Sequence, residues 1–205
     1  VKEVFMHADT RQRLLDIAEQ LFAERGFYGV SIAAIASEVG FTKQGLLHYF
    51  SSKEKLYGAI LQRVSDDFQE QQTEAERASE EPIESLKQFY AALAEPTETN
   101  TRRTRLLMRE LLDNNARATN AENWYLRDFL ERLIVMVKAI EGLQTLSDEE
   151  ALIFAYQLLG AINYFLISPA TLSGIFGKDV MQRMSASFSA ELDSLIAAKI
   201  QAASG

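Results

Sequence analysis

Apolar residues recur at spacings of three and four along this chain of 205 residues, in runs separated by capping residues, glycines and prolines. Leu14, Ile17, Ala18, Leu21 and Phe22 fall at i, i+3, i+4, i+7 and i+8, which predicts an amphipathic helix ended by a left-handed Gly26. Ser31 suits the N-cap of a short second helix with Ile32, Ile35, Ala36 and Val39 on one face. Gly40 and Phe41 then make a tight turn, and Thr42 can cap a third helix that runs from Lys43 to Tyr49. Ser51 and Glu54 have capping-box spacing before a fourth helix, whose apolar face runs through Leu56, Tyr57, Ile60, Leu61 and Val64 to Phe68. From Ser65 to Glu81 the residues are mostly polar, so this helix is expected to continue with most sides in water.

The later pattern is also helical. Pro82 suits the first turn of a helix striped by Leu86, Phe89, Tyr90 and Leu93. A polar loop is expected from Glu95 to Thr101, then helices over about 102–112 and 120–140, with Asn114 and Asn115 between them. Ser147 and Glu150 form a second capping box, opening a helix that Pro169 stops after Ser168, and a last helix covers about 179–200. The predicted fold is all-α, with about nine helices.

Two short helices joined through a glycine are the geometry that presents the second helix to the major groove of DNA. Thr42, Lys43 and Gln44 open that reading helix, with Gly45 behind them. Lysine can donate to guanine O6 and N7, and glutamine can pair with adenine N6 and N7 through two hydrogen bonds. His48 and Tyr49 are candidate phosphate contacts. Lys53 starts the fourth helix, where ammonium and helix dipole both favour a phosphate. Ser31 combines its cap with neighbouring amides that can receive a phosphate, and Arg11 and Arg13 are placed to reach the duplex as an arm does. Leu46 and Phe50 read as core residues.

The run SIAAIASEVGFTKQGLLHYF from Ser31 to Phe50, followed by SSKEKL to Leu56, resembles the DNA-binding domain of the tetracycline-repressor (TetR) family. The resemblance covers residues ~10–61, about a quarter of the chain. Many members carry a phosphate-contacting tyrosine where this chain has Leu47; leucine cannot donate, so His48 and Tyr49 inherit that work. The resemblance implies a helix-turn-helix head over residues 1–61 and a ligand-binding, dimerising body over 62–205. It also implies that the last two helices pair with their twofold mates in a four-helix bundle.

A hydrophobic content of 47% is ample for a sizeable core. The absence of cysteine excludes disulfides, thiolate zinc sites and thiol nucleophiles, and His7 and His48 are too few and too far apart to suggest a metal centre. No metal or cofactor is expected. Residues 1–10 lack the long apolar core of a secretory signal, so a reducing cytoplasmic setting is expected. The net charge of −8 looks wrong for a DNA binder, but residues 1–55 hold seven basic and seven acidic side chains. The excess acid lies in residues 56–205, with 14 basic against 22 acidic. A neutral head can still contact phosphates while an acidic body is repelled by them.

Arg102, Arg103, Arg105 and Arg109 form the densest basic cluster, yet the first of them sit at a predicted helix start, where the dipole disfavours cations. Pairing with the acidic body is the reading adopted for them. Phe89, Met108, Trp124, Phe129 and Phe165 are candidate walls of an apolar effector cavity, with Tyr156 or Asn163 as polar anchor. The charge-free run from Ala151 to Gly177 raises a membrane span, but Tyr156, Gln157, Asn163 and Pro169 interrupt it, and a buried helix explains it better. Ala155, Leu159 and Ile162 with Val180, Met184, Phe188, Leu192 and Leu195 are the candidate dimer interface.

These features predict a homodimeric repressor that binds a palindromic operator in double-stranded DNA and responds to a small hydrophobic or amphipathic effector. The rival reading is a helical ligand-binding or scaffold protein without operator recognition. An enzyme is disfavoured, because no nucleophile–base set, metal cluster or glycine-rich phosphate loop is present.

Overall fold

The computed structural model describes residues 2–113 and 125–204, with side chains between Thr10 and Ala203. Within them the chain forms ten helices and no strand: α1 (Lys2–Arg25), α2 (Ile32–Val39), α3 (Lys43–Tyr49), α4 (Lys53–Ala78), α5 (Pro82–Ala94), α6 (Glu98–Asp113), α7 (Arg127–Lys138), α8 (Asp148–Ile167), α9 (Pro169–Phe176) and α10 (Lys178–Ser204). The helix beyond the expected count is α9. Pro169 does end α8, but proline also suits the first position of a helix, where its missing N–H has no partner to lose. Asn114 and Asn115, and the start expected for the seventh helix, lie outside the described residues.

Two compact units are formed, one from Val1–Ser65 with Arg102–Leu126 and one from Asp66–Thr101 with Arg127–Gly205. In the first, α1 buries Leu14, Leu15, Ala18, Leu21, Phe22 and Ala23. Helix α2 packs on α1 and α3 packs on α2. Gly26 has φ 72 and donates to the Phe22 carbonyl at 2.9 Å, the left-handed stop that the sequence predicts. Tyr57 packs against Phe22 and Phe27 with steeply inclined rings, each at a centroid distance of 5.0 Å. The capping box expected from Ser51 and Glu54 does not form. Phe50 leaves α3 with extended backbone, helical geometry resumes only at Lys53, and Ser52 takes the cap by accepting from the Lys55 N–H at 3.2 Å.

In the second unit α8 packs against α5, α7 and α9, and α10 packs against α5 and α9. The core joins Leu86, Phe89 and Tyr90 of α5 to Phe129, Leu133 and Val137 of α7 and to Ala151, Phe154, Ala155, Leu158, Ile162 and Phe165 of α8. Each large apolar side chain buried here contributes about 1.5–3 kcal/mol. Burial pushes the Tyr90 phenol well above its usual pKa; the hydroxyl donates to the Ala155 carbonyl at 3.4 Å. The capping box of α8 is complete: the Glu150 N–H donates to the Ser147 hydroxyl at 3.2 Å and the Ser147 N–H to the Glu150 carboxylate at 2.9 Å.

The second half of α4 runs on to Ala78 with one buried stripe, Phe68, Gln72 and Ala75, where Gln72 donates to the Phe129 carbonyl at 3.2 Å, and with its other sides open or half-buried. One expectation changes. Helix α6 starts at Glu98 rather than near Arg102, because the Thr97 hydroxyl accepts from the Asn100 N–H at 3.0 Å and caps it early. Among the described residues α8 is long and apolar enough to cross a membrane by length and composition. In this fold one of its faces is buried within the second unit.

Candidate nucleic-acid interface

The helix-turn-helix is built from local hydrogen bonds. The Ser31 hydroxyl accepts from the Ala34 N–H at 3.1 Å and fixes the start of α2. Gly40, at φ 76, ends it, and the Phe41 N–H donates to the Ala36 carbonyl at 2.8 Å. A side chain at a left-handed residue crowds its own backbone, so glycine is the economical choice there. Thr42 caps α3 by accepting from the Gly45 N–H at 3.0 Å. A Cβ added to Gly45 would lie 3.4 Å from that hydroxyl, close to ordinary contact.

Leu46 is fully buried and holds α3 down, as expected. Thr42, Lys43, Gln44 and His48 are exposed, so the face left open is the one assigned to base and phosphate contacts. Tyr49 is half-buried, stacked on Phe41 at 6.3 Å with rings 4° from parallel, while His48 meets its edge at 5.9 Å. Leu47 is half-buried.

Two cations are more committed than the sequence suggested. The Lys53 ammonium sits over the Phe27 ring at 4.3 Å, and the Arg11 guanidinium over Phe50 at 5.0 Å. The ring fixes where each cation is held. At the start of α4 the Glu54 carboxyl is held below the usual range by its own backbone N–H and by the Ser52 hydroxyl. A carboxylate thus occupies the helix end expected to welcome phosphate. Lys53, rather than bare amides, is what remains to attract one.

The arginine cluster pairs within the chain, and α1 supplies partners for it that lie outside the acidic region beyond residue 56. Arg102 donates to the buried Glu19 at 2.9 Å, with Arg103 at 4.0 Å from the same oxygen. Arg109 donates to the Ala23 and Glu24 carbonyls at 3.0 and 2.8 Å. The sequence offered no signal for these pairings, which join residues more than eighty positions apart.

The candidate effector residues do not share one setting. Met108 belongs to the first unit, and Trp124 lies outside the described residues. Phe89 and Phe129 are buried in the second unit with centroids 6.1 Å apart. Tyr156 is exposed rather than internal, and Asn163 is half-buried. Phe165 borders a cleft of about 370 Å³ together with Ala91, Ala94, Pro96 and Phe188, none of which was expected to face a ligand.

The dimer candidates divide by helical phase. Val180, Met184 and Leu195 are exposed on one face of α10. Ala155, Ile162 and Leu192 are buried within the chain, and Phe188 stacks on Phe165, so these four serve the chain's own core. Leu159 is half-buried. The exposed face of α8 instead carries Ile153, Tyr156, Gly160 and Tyr164. Their spacing was visible in the sequence, but a helix that is apolar all round does not disclose which stripe turns inward.

Comparison with known proteins bears on this geometry. Residues 14–60 match the family of bacterial regulatory proteins, tetR family. The HTH-type transcriptional regulator RutR of Escherichia coli K12 is 30% identical over 102 residues, which are 50% of this chain and 48% of that protein. The chain thus spans about half the length of the curated relatives it first matches. A transcriptional regulator from Rhodococcus sp. Rha1 has the same fold, with TM-score 0.67, 20% identity and coverage of 95% of this chain and 98% of that one. The regulator FadR from Bacillus subtilis in complex with stearoyl-CoA matches with TM-score 0.65, 18% identity and coverage of 90% and 96%.

Proposed function

We propose that this chain, a member of the tetR family of bacterial regulatory proteins through its residues 14–60, is a homodimeric repressor that occupies a near-palindromic operator until a small hydrophobic or amphipathic molecule releases it. The observation that carries this reading is the capped α2–Gly40–α3 unit, which buries Leu46 and leaves Thr42, Lys43 and Gln44 open at the start of the reading helix. In the proposal, residues 1–61 read DNA, and residues 62–205 bind the effector and dimerise. Gln44 and Lys43 read base edges; Ser31, Thr42, His48, Tyr49 and Lys53 hold phosphates, with Gly45 keeping the helix start compact.

Dimerisation follows from exposed apolar surface. Ile153, Tyr156 and Tyr164 of α8 and Val180, Met184 and Leu195 of α10 are open to water in the single chain, and soluble monomers rarely leave such stripes uncovered. A second copy covers them and sets two reading helices about 34–36 Å apart, one turn of B-DNA. Release requires that the effector favour a body geometry with a different head spacing.

The aromatic walls of the second unit support an apolar effector, as does the acyl chain of the molecule bound by the Bacillus subtilis regulator. Genomic fragments retained by the purified protein, sequenced and then challenged with long-chain alcohols, acyl-CoA thioesters and aromatic compounds, test both halves. Retention of inverted repeats and their release by apolar probes is the expected result. Retention of no duplex would favour the ligand-binding or scaffold alternative.

A further inference from the structure

The arginines of α6 form the densest basic cluster in the sequence, and base reading leaves them without a role. We infer that Arg102 and Arg109 are positioning residues for DNA recognition, clamping α1 at two points so that the reading helix is presented at a fixed angle. This rests on the DNA-binding reading above.

The first point is Glu19, whose side chain is 1% exposed. Its carboxylate accepts from Arg102 at 2.9 Å through one oxygen and from Arg63 of α4 at 2.5 Å through the other, while Arg63 also holds Asp16 at 2.6 Å. The second point is the last turn of α1, whose carbonyls have no partner within the helix. Arg109 donates to two of them, and its charge faces the negative end of the α1 dipole. The fit continues into the stop residue: a Cβ on Gly26 would lie 3.4 Å from the Arg109 guanidinium and 3.5 Å from the Asp113 carboxylate.

The spacing makes a clamp of these contacts. Arg102 and Arg109 are seven residues apart, two turns on one face of α6 and about 10 Å along its axis. Glu19 and Ala23 are one turn apart on α1. One contact would leave α1 free to pivot about it, whereas two contacts at different heights remove that freedom. Because α2 packs on α1 and α3 on α2, the angle of α1 is passed to Lys43 and Gln44. The donors named here are engaged within the chain, so their contribution to binding is orientation rather than phosphate contact.

The test uses the full chain and a library of duplexes that carry two half-sites at varied spacing. The wild type is run first. If it selects no duplex, the DNA-binding reading fails by itself, before any variant is measured. Arg102→Gln, Arg109→Gln, the double variant and Arg109→Lys follow, each checked for folding by its melting curve. The folded double variant should lose about ten-fold in affinity at the preferred spacing, the scale of one charged hydrogen bond. It should also accept half-sites one base pair wider or narrower with a smaller penalty, and keep the wild-type dependence on salt.

Arg109→Lys should fall between, since one ammonium cannot span two carbonyls as the guanidinium fork does. If the double variant does not fold, Arg109→Lys is read on the same spacing axis and decides the matter. A salt slope shallower by about 0.9 per arginine would mean direct phosphate contact and overturn the inference. So would an affinity loss with unchanged spacing preference, which marks a merely structural role, or no change in either.

Discussion

The rings of Phe165 and Phe188 stack face to face at 3.9 Å and 8°, joining α8 to α10 inside one chain. That contact fixes the rotation of both helices. It turns Leu192 and Ile196 of α10 inward with Phe188, and leaves Val180, Met184 and Leu195 in water.

The double substitution Met184→Glu with Leu195→Glu should therefore give folded monomers. Two charges placed on the exposed α10 stripe of each copy would oppose association without entering the core. Leu192→Glu, by contrast, buries an unpaired carboxylate at a site 3% exposed and should unfold the chain at a cost of several kcal/mol. Light scattering gives the mass and circular dichroism the helix content. Dimers of unchanged affinity from the first variant would place the interface elsewhere.

Base reading and phosphate holding separate by sequence dependence. Gln44→Ala should relax preference at one base position in each half-site, at roughly 1–3 kcal/mol. Lys53→Ala should weaken all duplexes alike and reduce the salt slope by about 0.9. A randomised operator library read at two salt concentrations distinguishes them. Uniform loss in both variants would remove Gln44 from base reading.

The helix caps offer a contrast between the two units. Thr42→Ala removes the acceptor for the Gly45 N–H, and Ser147→Ala breaks the capping box of α8. Each should cost about 1 kcal/mol in urea melts. Only the first should also weaken operator binding, because only Thr42 starts the reading helix. An equal loss of binding from Ser147→Ala would contradict this division of labour.

Glu54 links pH to the head. Its pKa is lowered in the fold, so its charged form stabilises the native state above the ordinary carboxylate range, and that contribution is lost as pH falls through the lowered value. Glu54→Gln should flatten the acid side of the stability profile. It should also raise operator affinity at neutral pH, since a negative charge beside Lys53 is removed. Unchanged affinity would show that no phosphate approaches this end of α4.

What the sequence determined alone was local. Gly26, Gly40, Ser31, Thr42 and the Ser147–Glu150 pair each act on a backbone group within four residues, so reading them needed no knowledge of the fold. The helix-turn-helix is assembled from such signals, which is why its open face could be named in advance. Even locally, the Ser51–Glu54 spacing pointed to the wrong cap, because the extended Phe50 set the register and gave that place to Ser52. The tertiary structure decided the rest. Helix α8 is apolar on every side, and only packing against α5 and α7 chose Ala155 and Ile162 for the core over Ile153 and Tyr164. The arginines of α6 had a whole chain of carboxylates to choose from. Glu19, 83 residues from Arg102, became a partner because the fold buries it beside three guanidinium groups, where a charge left alone would be far costlier than in water.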